Sequence, residues 1–372
     1  MLITLLGDSV REYFMRRLFS IPLLLLLCGC ADLGYYWHSA DGHLTLMQQR
    51  VDIDELLADN SLDSSLRERL MLVQEIRQFS IDALDLPANG SYRSYVELQQ
   101  PYVIQNLFAA PEFSTRLHQW CYPVIGCASY RGYYDEARLL AYIAELKSRG
   151  LEVYVGRVSA YSTLGWFDDP VLSSFIDWPD YRLAGLIFHE LTHQRIYIDD
   201  DTTFNESLAS AVQQAGTELW LQSRNEREAL DEFSRWLAYR IEVIELIEVT
   251  RDRLTMLYDS SFSDAEKRER KARQFDAMRA EHAAIATRHG IGGGFGPWFA
   301  SELNNAKIGS VAAYNSRLQA FLYMLQDSEY NFAAFYRYVD KIAKLDHNDR
   351  DRCLDAWEQQ AQTAADICPA PG

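Results

Sequence analysis

The 372-residue chain lacks a hydrophobic run that could cross a membrane, because its apolar stretch at residues 18–27 is shorter than the about 20 residues that a transmembrane helix needs. Positive charge is scarce, with 36 Lys and Arg against 53 Asp and Glu. The formal net charge of −17 argues against general nucleic-acid binding, which depends on neutralising phosphates. No internal repeat is visible. The chain does have 48% hydrophobic and 13% aromatic residues, enough for a sizeable core, which excludes a wholly disordered protein.

The first thirty residues have the pattern of an export signal. Residues 15–17 (MRR) precede the apolar run, and residues 27–30 (LCGC) follow it and resemble the bacterial lipobox. In that motif cleavage falls before the cysteine, whose thiol is then acylated. The resemblance predicts residues 1–29 as a lipoprotein signal peptide and Cys30 as a lipid anchor that holds the protein to a membrane.

Two details of this leader bear on location and on the start of translation. Ala31 follows the anchor, and by resemblance to lipoprotein sorting rules this favours the periplasmic side of the outer membrane in a bacterial envelope. Asp8 and Glu12 are unusual in a signal, so Met15 is an alternative start. A plain secretory signal is the alternative to the lipobox.

Four cysteines remain once Cys28 is removed with the signal and Cys30 is acylated. An even number in an exported chain predicts disulfides. Among three connectivities we favour Cys121–Cys127 and Cys353–Cys368, because the members of each pair are close in sequence. A soft-metal site is the alternative, although neither spacing is that of a Cys-x-x-Cys knuckle.

A metal-binding motif occurs at residues 189–193, where His189-Glu190-Leu191-Thr192-His193 matches H-E-x-x-H inside a predicted helix at about 180–198. Residues four apart on a helix lie about 40° apart around its axis and one turn along it, so both imidazoles can reach one metal ion. Glu190 can then act on a water beside that ion. The alternative is two histidines and a glutamate on a solvated helix face.

A catalytic zinc site needs a third protein ligand, and Glu206 on the next predicted helix is the candidate. Twelve residues separate it from His193, enough for one helix to end and the next to cross back. Thr203-x-x-Glu206 is also a capping box, in which the glutamate would bond to the helix start. Weaker substitutes are His282, His289 and Asp200.

Several further segments form a recognisable set with this motif. They are GYYW at 34–37, WCYPVIGC at 120–127, SYRGY at 129–133, AYSTLGWFDDP at 160–170, FNES at 204–207 and LNNA at 303–306. Together they resemble the bacterial "predicted aminopeptidase" family of envelope lipoproteins. The resemblance implies a zincin-like metallopeptidase of the glutamate-zincin type, with one Zn²⁺ held by His189, His193 and Glu206.

The fold expected from this resemblance and from the hydrophobic pattern is α+β and mostly helical. A small mixed sheet, from strands near 102–109, 119–131 and 151–162, would back the H-E-x-x-H helix. The expected divisions are 30–50 as anchor and linker, 51–221 as the catalytic core, 222–290 as a charged helical hairpin, and 291–372 as a helical part that closes the cleft.

The same resemblance implies roles for further residues. Glu190 would be the general base, and Tyr161 or Tyr314 the donor to the oxyanion. An edge strand made of Ser162, Thr163, Leu164 and Gly165 would pair with a peptide substrate. Asn304 and Asn305 would bind the substrate backbone, with helix capping or turn formation as the alternative.

The expected function is hydrolysis of peptide bonds in a peptide or protein substrate, with an aminopeptidase as the first candidate. An aminopeptidase needs an acidic group for the free α-amine, for which Glu97, Asp168 and Asp169 are available. The alternatives are an endopeptidase of envelope quality control and a non-catalytic, zinc-stabilised interaction module. The sequence indicates no oligomeric state.

Overall fold

The chain is mostly helical in the computed structural model, which describes residues 42, 44–122, 126–160, 163, 167–199, 201–312, 317–360 and 367–370. The helices are α1 (Ile53–Ala58), α2 (Ser64–Asp82), α3 (Glu136–Ser148), α4 (Asp180–Arg195), α5 (Thr202–Ser223), α6 (Arg227–Tyr258), α7 (Asp264–His289), α8 (Gly296–Ala300), α9 (Asn305–Ala312), α10 (Leu318–Asp327), α11 (Phe332–Ala343) and α12 (His347–Glu358). The strands are β1 (Val51–Asp52), β2 (Ser94–Val96), β3 (Ile104–Pro111), β4 (Trp120–Tyr122), β5 (Gly126–Ala128), β6 (Arg131–Tyr133), β7 (Leu151–Val158) and β8 (Val171–Leu172).

The described strands form small separate sheets, as an α+β protein allows. One sheet is mixed and has the order β1-β2-β8, with β1 antiparallel and β8 parallel to β2. A second, antiparallel sheet has the order β6-β3-β7, and β4 pairs with β5 as a hairpin. The predicted class, α+β and mostly helical, is confirmed.

The longest pairing joins β3 and β7, from Ile104 opposite Val158 to Pro111 opposite Leu151. Alternation along β3 turns Phe108 and Ala110 to one face, where they pack with Ala306 of α9. Helix α3 also packs on β7. The sheet is therefore covered by α9 and α3.

The helix that carries the H-E-x-x-H motif packs mainly on other helices. Its strongest contact is with α5, and α2 also lies against it. Gly216 of α5 permits a close approach, because a Cβ there would lie 2.7 Å from Leu84 Cδ1 and 3.0 Å from Phe188 Cδ2. The Phe188 ring also contacts Phe79 of α2, with 5.9 Å between ring centroids.

This packing corrects the expectation that the sheet of residues 102–162 backs the motif helix. Helices, rather than the β6-β3-β7 sheet, form the principal packing surface of α4 in the described chain. The apolar face of α4, with Phe188 and Leu191 buried, is filled by side chains of α2 and α5. The helix also ends at Arg195, three residues before the expected Ile198.

Helices α6 and α7 form an antiparallel hairpin, since Tyr258 near the end of α6 lies by Lys267 at the start of α7. The predicted capping box is present, with the Ser263 and Glu266 side chains each bonded to the other's backbone N–H. Lys271 fastens the hairpin to the sheet, because its ammonium donates to Glu112 O at 2.8 Å and to the Glu152 carboxylate.

Residues Arg50–Gly372 form one compact unit and Met1–Gln49 a separate one. In the unit Met1–Gln49, the described residues 44–48 are helical. The predicted signal peptide and Cys30 lie outside the described residues. Among the described residues we find no helix with the length and apolarity that a membrane crossing requires.

Both predicted disulfides are present. Cys121 pairs with Cys127 across the β4–β5 hairpin, and Cys353 of α12 pairs with Cys368 near the C-terminus. A cross-link stabilises chiefly by restricting the unfolded chain, and the effect grows with the length of the closed loop. The second bridge, with a sequence separation of 15 against 6, is therefore the stronger constraint.

Replacing both Cys353 and Cys368 with Ala should lower the free energy of unfolding by about 3 kcal/mol, and the same change at Cys121 and Cys127 by about 2 kcal/mol. Urea unfolding of each double variant beside the unaltered protein measures both losses. An unchanged unfolding midpoint in the Cys353 and Cys368 variant would contradict this account.

Candidate metal centre

Two histidines of α4 and one glutamate of α5 converge at a single point. His189 Nε2 lies 3.2 Å from His193 Nε2 and 3.3 Å from Glu206 Oε2, and Glu206 Oε1 lies 3.7 Å from His193 Nε2. Their ligand atoms all lie within 4.8 Å of one another, and they form the candidate metal group among the described residues. The four-residue spacing places both imidazoles on one face of α4, and the packing of α5 brings the carboxylate to them.

The turn between the two helices is held by Asn205, the neighbour of Glu206. Its amide donates to Ile198 O at 2.7 Å and its carbonyl accepts from Ile198 N at 2.9 Å. These two hydrogen bonds to the Ile198 backbone tie the loop to the first turn of α5 and so help to set the position of Glu206. Sequence reasoning assigned no role to Asn205, although its place beside the predicted ligand was a signal.

Asp201, and not Thr203, caps α5. Its carboxylate accepts from Phe204 N at 3.0 Å, and α5 begins at Thr202. Glu206 therefore lies beyond the position that a capping-box glutamate occupies, and its carboxylate faces the two imidazoles instead. The capping alternative for Glu206 is wrong.

The cap of α5 is itself anchored by a buried ion pair with α12. Arg350 donates from Nε and from Nη2 to Asp201 Oδ2, each at 2.7 Å, and both side chains are only 6% exposed. Arg350 also donates to Leu345 O at 2.9 Å. A helix near the C-terminus thus fixes the start of the helix that carries Glu206, which sequence reasoning did not foresee.

The electrostatics of the centre suit Glu190 to proton transfer. Burial raises the pKa of the Glu190 carboxyl to about 7, the charge of His189 opposes the rise, and the carboxylates of Glu206 and Asp169 add to it. A carboxyl group with a pKa near neutrality can both accept and return a proton at pH 7.

The two imidazoles differ in their surroundings. Burial, with the nearby charge of His189, lowers the pKa of His193 to about 4, so its ring is neutral at pH 7. Burial opposes protonation of His189 too, but its hydrogen bond with Glu206 and the nearby carboxylates raise its pKa on balance. A divalent cation competes with protons for these lone pairs.

The donor set fits a catalytic zinc ion. Zinc–nitrogen bonds of about 2.0–2.1 Å in tetrahedral geometry place ligand atoms about 3.3 Å apart. The distances of His189 Nε2 to His193 Nε2 (3.2 Å) and to Glu206 Oε2 (3.3 Å) agree with this. The other carboxylate oxygen, Glu206 Oε1, lies 3.7 Å from His193 Nε2. Two histidines and one glutamate leave a fourth position open.

A comparison with protein families matches most of the chain, including the segment that carries these residues. The family model described as "Putative aminopeptidase" matches residues 34–354. The chain belongs to this family. No curated protein and no solved structure matches the chain.

A buried polar network joins the segment before β8 to the motif helix of this family member. Thr163 donates to the Asp169 carboxylate from its backbone N at 3.1 Å and from Oγ1 at 2.8 Å. Gln194, next to His193, donates to the same carboxylate at 3.1 Å and accepts from Asn89 at 2.6 Å. The network connects Thr163 to the motif helix through Asp169.

Asn304 and Asn305 correct the prediction of substrate binding. Asn304 caps α9 by accepting from Lys307 N at 2.9 Å and donates to Val153 O at 3.0 Å. Asn305 is fully buried, donates to Pro111 O at 3.0 Å and accepts from Tyr258 at 2.8 Å. Capping and linkage to the sheet, the alternative left open by the sequence, account for both side chains.

The remaining candidates do not join the centre or cannot be placed. His282 bonds to Tyr239 at 2.8 Å and His289 to Glu242 at 2.7 Å, both within the α6–α7 hairpin, so neither replaces Glu206. Several predicted residues lie outside the described residues, namely Asp200, Tyr161, Ser162, Leu164, Gly165 and Tyr314.

Arg350→Met should lower the free energy of unfolding by about 3–5 kcal/mol, because it removes the guanidinium that pairs with the buried Asp201 carboxylate and leaves the exposed His347 as the nearby basic side chain. It should also weaken metal binding, since the start of α5 loses its anchor. Denaturant unfolding and a metal titration measure the two effects.

The matched control is Arg352→Met on the same helix, whose exposed partner is Asp349. That surface pair should contribute at most about 1 kcal/mol. Equal losses in the two variants would show that the buried pair has no special role.

Proposed function

We propose that this chain is a zinc-dependent peptidase of the zincin-like, glutamate-zincin type, with aminopeptidase action as the first candidate. The observation that carries the proposal is the convergence of His189, His193 and Glu206 at separations suited to zinc, with Glu190 adjacent to the first ligand. Membership of the aminopeptidase family supports hydrolysis of peptide bonds in a peptide or protein substrate.

In this proposal His189, His193 and Glu206 hold one Zn²⁺, which when bound activates water and polarises the substrate carbonyl. Glu190, next to the first ligand in the sequence, takes a proton from the attacking water as the general base. The same carboxyl later returns the proton to the amine that leaves. Tyr161 and Tyr314 stay predictions for the oxyanion donor.

The α-amine of an aminopeptidase substrate needs an acidic partner, and the three candidates are already in contact with other groups. Glu97 accepts a hydrogen bond from Tyr95, and Asp169 accepts from Thr163 and Gln194. The Asp168 carboxylate lies against Gly90, where a Cβ would come within 2.3 Å of Oδ2. These contacts favour testing the endopeptidase alternative beside the first candidate.

We propose that the protein lies in the bacterial envelope, attached by a lipid at Cys30 and facing the periplasm, because residues 15–30 have the features of a lipoprotein signal. The two disulfides support export, because such bonds persist in oxidising compartments. The outer membrane is the proposed site, on the basis of Ala31.

Glu190→Gln should keep bound zinc but lower peptide hydrolysis by about 10²–10⁴-fold, because the amide cannot accept the proton. Zinc content by elemental analysis and cleavage rates measure the two effects. Glu218→Gln is the control, because it makes the same change at a partly buried carboxylate on the neighbouring helix α5. It should leave hydrolysis unchanged. Full activity in Glu190→Gln would exclude this mechanism.

A peptide library with free and with acetylated N-termini decides the mode of cleavage. An aminopeptidase should release single residues from free N-termini, and acetylation should abolish cleavage. Chelation should stop the reaction and added Zn²⁺ should restore it. Internal cleavage of both sets would identify an endopeptidase, and no cleavage by zinc-loaded protein would favour the non-catalytic module.

A further inference from the structure

Helix α5 contacts both ring nitrogens of His189. Glu206 Oε2 lies 3.3 Å from Nε2, and Gln213 Oε1 lies 3.1 Å from Nδ1. Seven residues on a helix bring two side chains to within about 20° of each other around the axis. Glu206 and Gln213 therefore share one face of α5, and the imidazole lies between them.

The packing of α4 leaves room for the Gln213 side chain. Gly185 lies one turn before His189, and a Cβ there would come 3.2 Å from Gln213 Cγ and 3.3 Å from its Nε2. The same Cβ would lie 3.0 Å from Thr217 Oγ1, which donates to Gln213 O at 2.7 Å. A side chain at position 185 would thus crowd the amide that reaches His189.

The chemistry of the contact defines which nitrogen of His189 carries hydrogen. A carboxamide oxygen only accepts hydrogen bonds, so the His189 Nδ1 atom donates to Gln213. The neutral ring with its hydrogen on Nδ1 keeps a lone pair on Nε2, the atom that would bind the metal ion in place of the contact with Glu206. His193 differs, because its Nδ1 is buried without a hydrogen-bond partner among the described residues. In the described structure His189 is thus the ligand with a side-chain support.

We propose that Gln213 is a positioning residue for the metal centre, which fixes the ring and the tautomer of His189 through its amide oxygen. The proposal rests on the proposed function, since it assumes that His189 binds zinc. Supports of this kind behind a ligand histidine typically change metal affinity by 10–100-fold. Here the support comes from the helix that also provides Glu206, so one helix both supplies a ligand and orients another.

The test is the zinc dissociation constant of the full chain, measured by competition with a chromogenic chelator at fixed pH. Gln213→Leu removes the acceptor and should weaken zinc binding by about 10–100-fold. Gln213→Glu keeps an acceptor and should bind zinc as the unaltered protein does. Gly185→Ala should weaken binding without altering any polar group. Gln214→Leu makes the same chemical change on the neighbouring residue and is the control.

Melting of the metal-free proteins separates positioning from a structural role. A positioning residue predicts that Gln213→Leu melts close to the unaltered protein while its zinc affinity falls. A loss of zinc affinity in Gln213→Leu of less than about threefold, which is smaller than the expected loss of about 10–100-fold, would overturn the proposal. Equal losses in Gln213→Leu and Gln214→Leu would also overturn it. If Gln213→Leu does not fold, Gln213→Met, which keeps the side-chain length and removes the amide oxygen, decides: weaker binding supports the proposal, and unchanged binding overturns it.

The two proposals fail in distinguishable ways. If the unaltered protein does not bind zinc, the proposed function fails and the role of Gln213 fails with it. If it binds zinc and Gln213→Leu binds equally well, only the role of Gln213 is excluded.

Discussion

The close packing of α4 on α5 is the contact on which the candidate centre depends. Two of the converging side chains lie on one helix and the third on the other, so the separation of the axes sets the distances from the Glu206 carboxylate to the two imidazoles. Gly216 and Gly185 lie in this interface and leave space for side chains of the opposite layer. A functional site tolerates errors of only about 0.5 Å, which explains why so many contacts converge on these two helices.

Polar contacts stabilise the turn between these two helices and the start of α5. Asn205 closes the turn between the helices, and the buried pair of Asp201 and Arg350 ties the start of α5 to α12. Because Cys353 of the same helix forms a disulfide with Cys368, the C-terminal region supports the centre although it contributes no ligand from its described residues. Supports distant in sequence are common where charged groups must be held in a fixed geometry.

Features that depend on neighbouring residues could be predicted. The capping box of Ser263 and Glu266 and the disulfide of Cys121 and Cys127 involve short separations, and both are present. Features that depend on distant packing were harder. The larger sheet does not form the main support of α4, and Asn304 caps a helix, because the partners of these elements come from segments far away in the chain.

The sequence by itself determined that His189 and His193 share a helix face, because helical periodicity is a local property. It also indicated the family, through motifs spread over most of the chain. Only the tertiary structure decided that Glu206 faces these histidines and does not cap its helix, that Gln213 lies behind His189, and which remote arginine anchors α5. The physical reason is that such contacts form between helices, and their geometry is set by side-chain packing that no local pattern encodes.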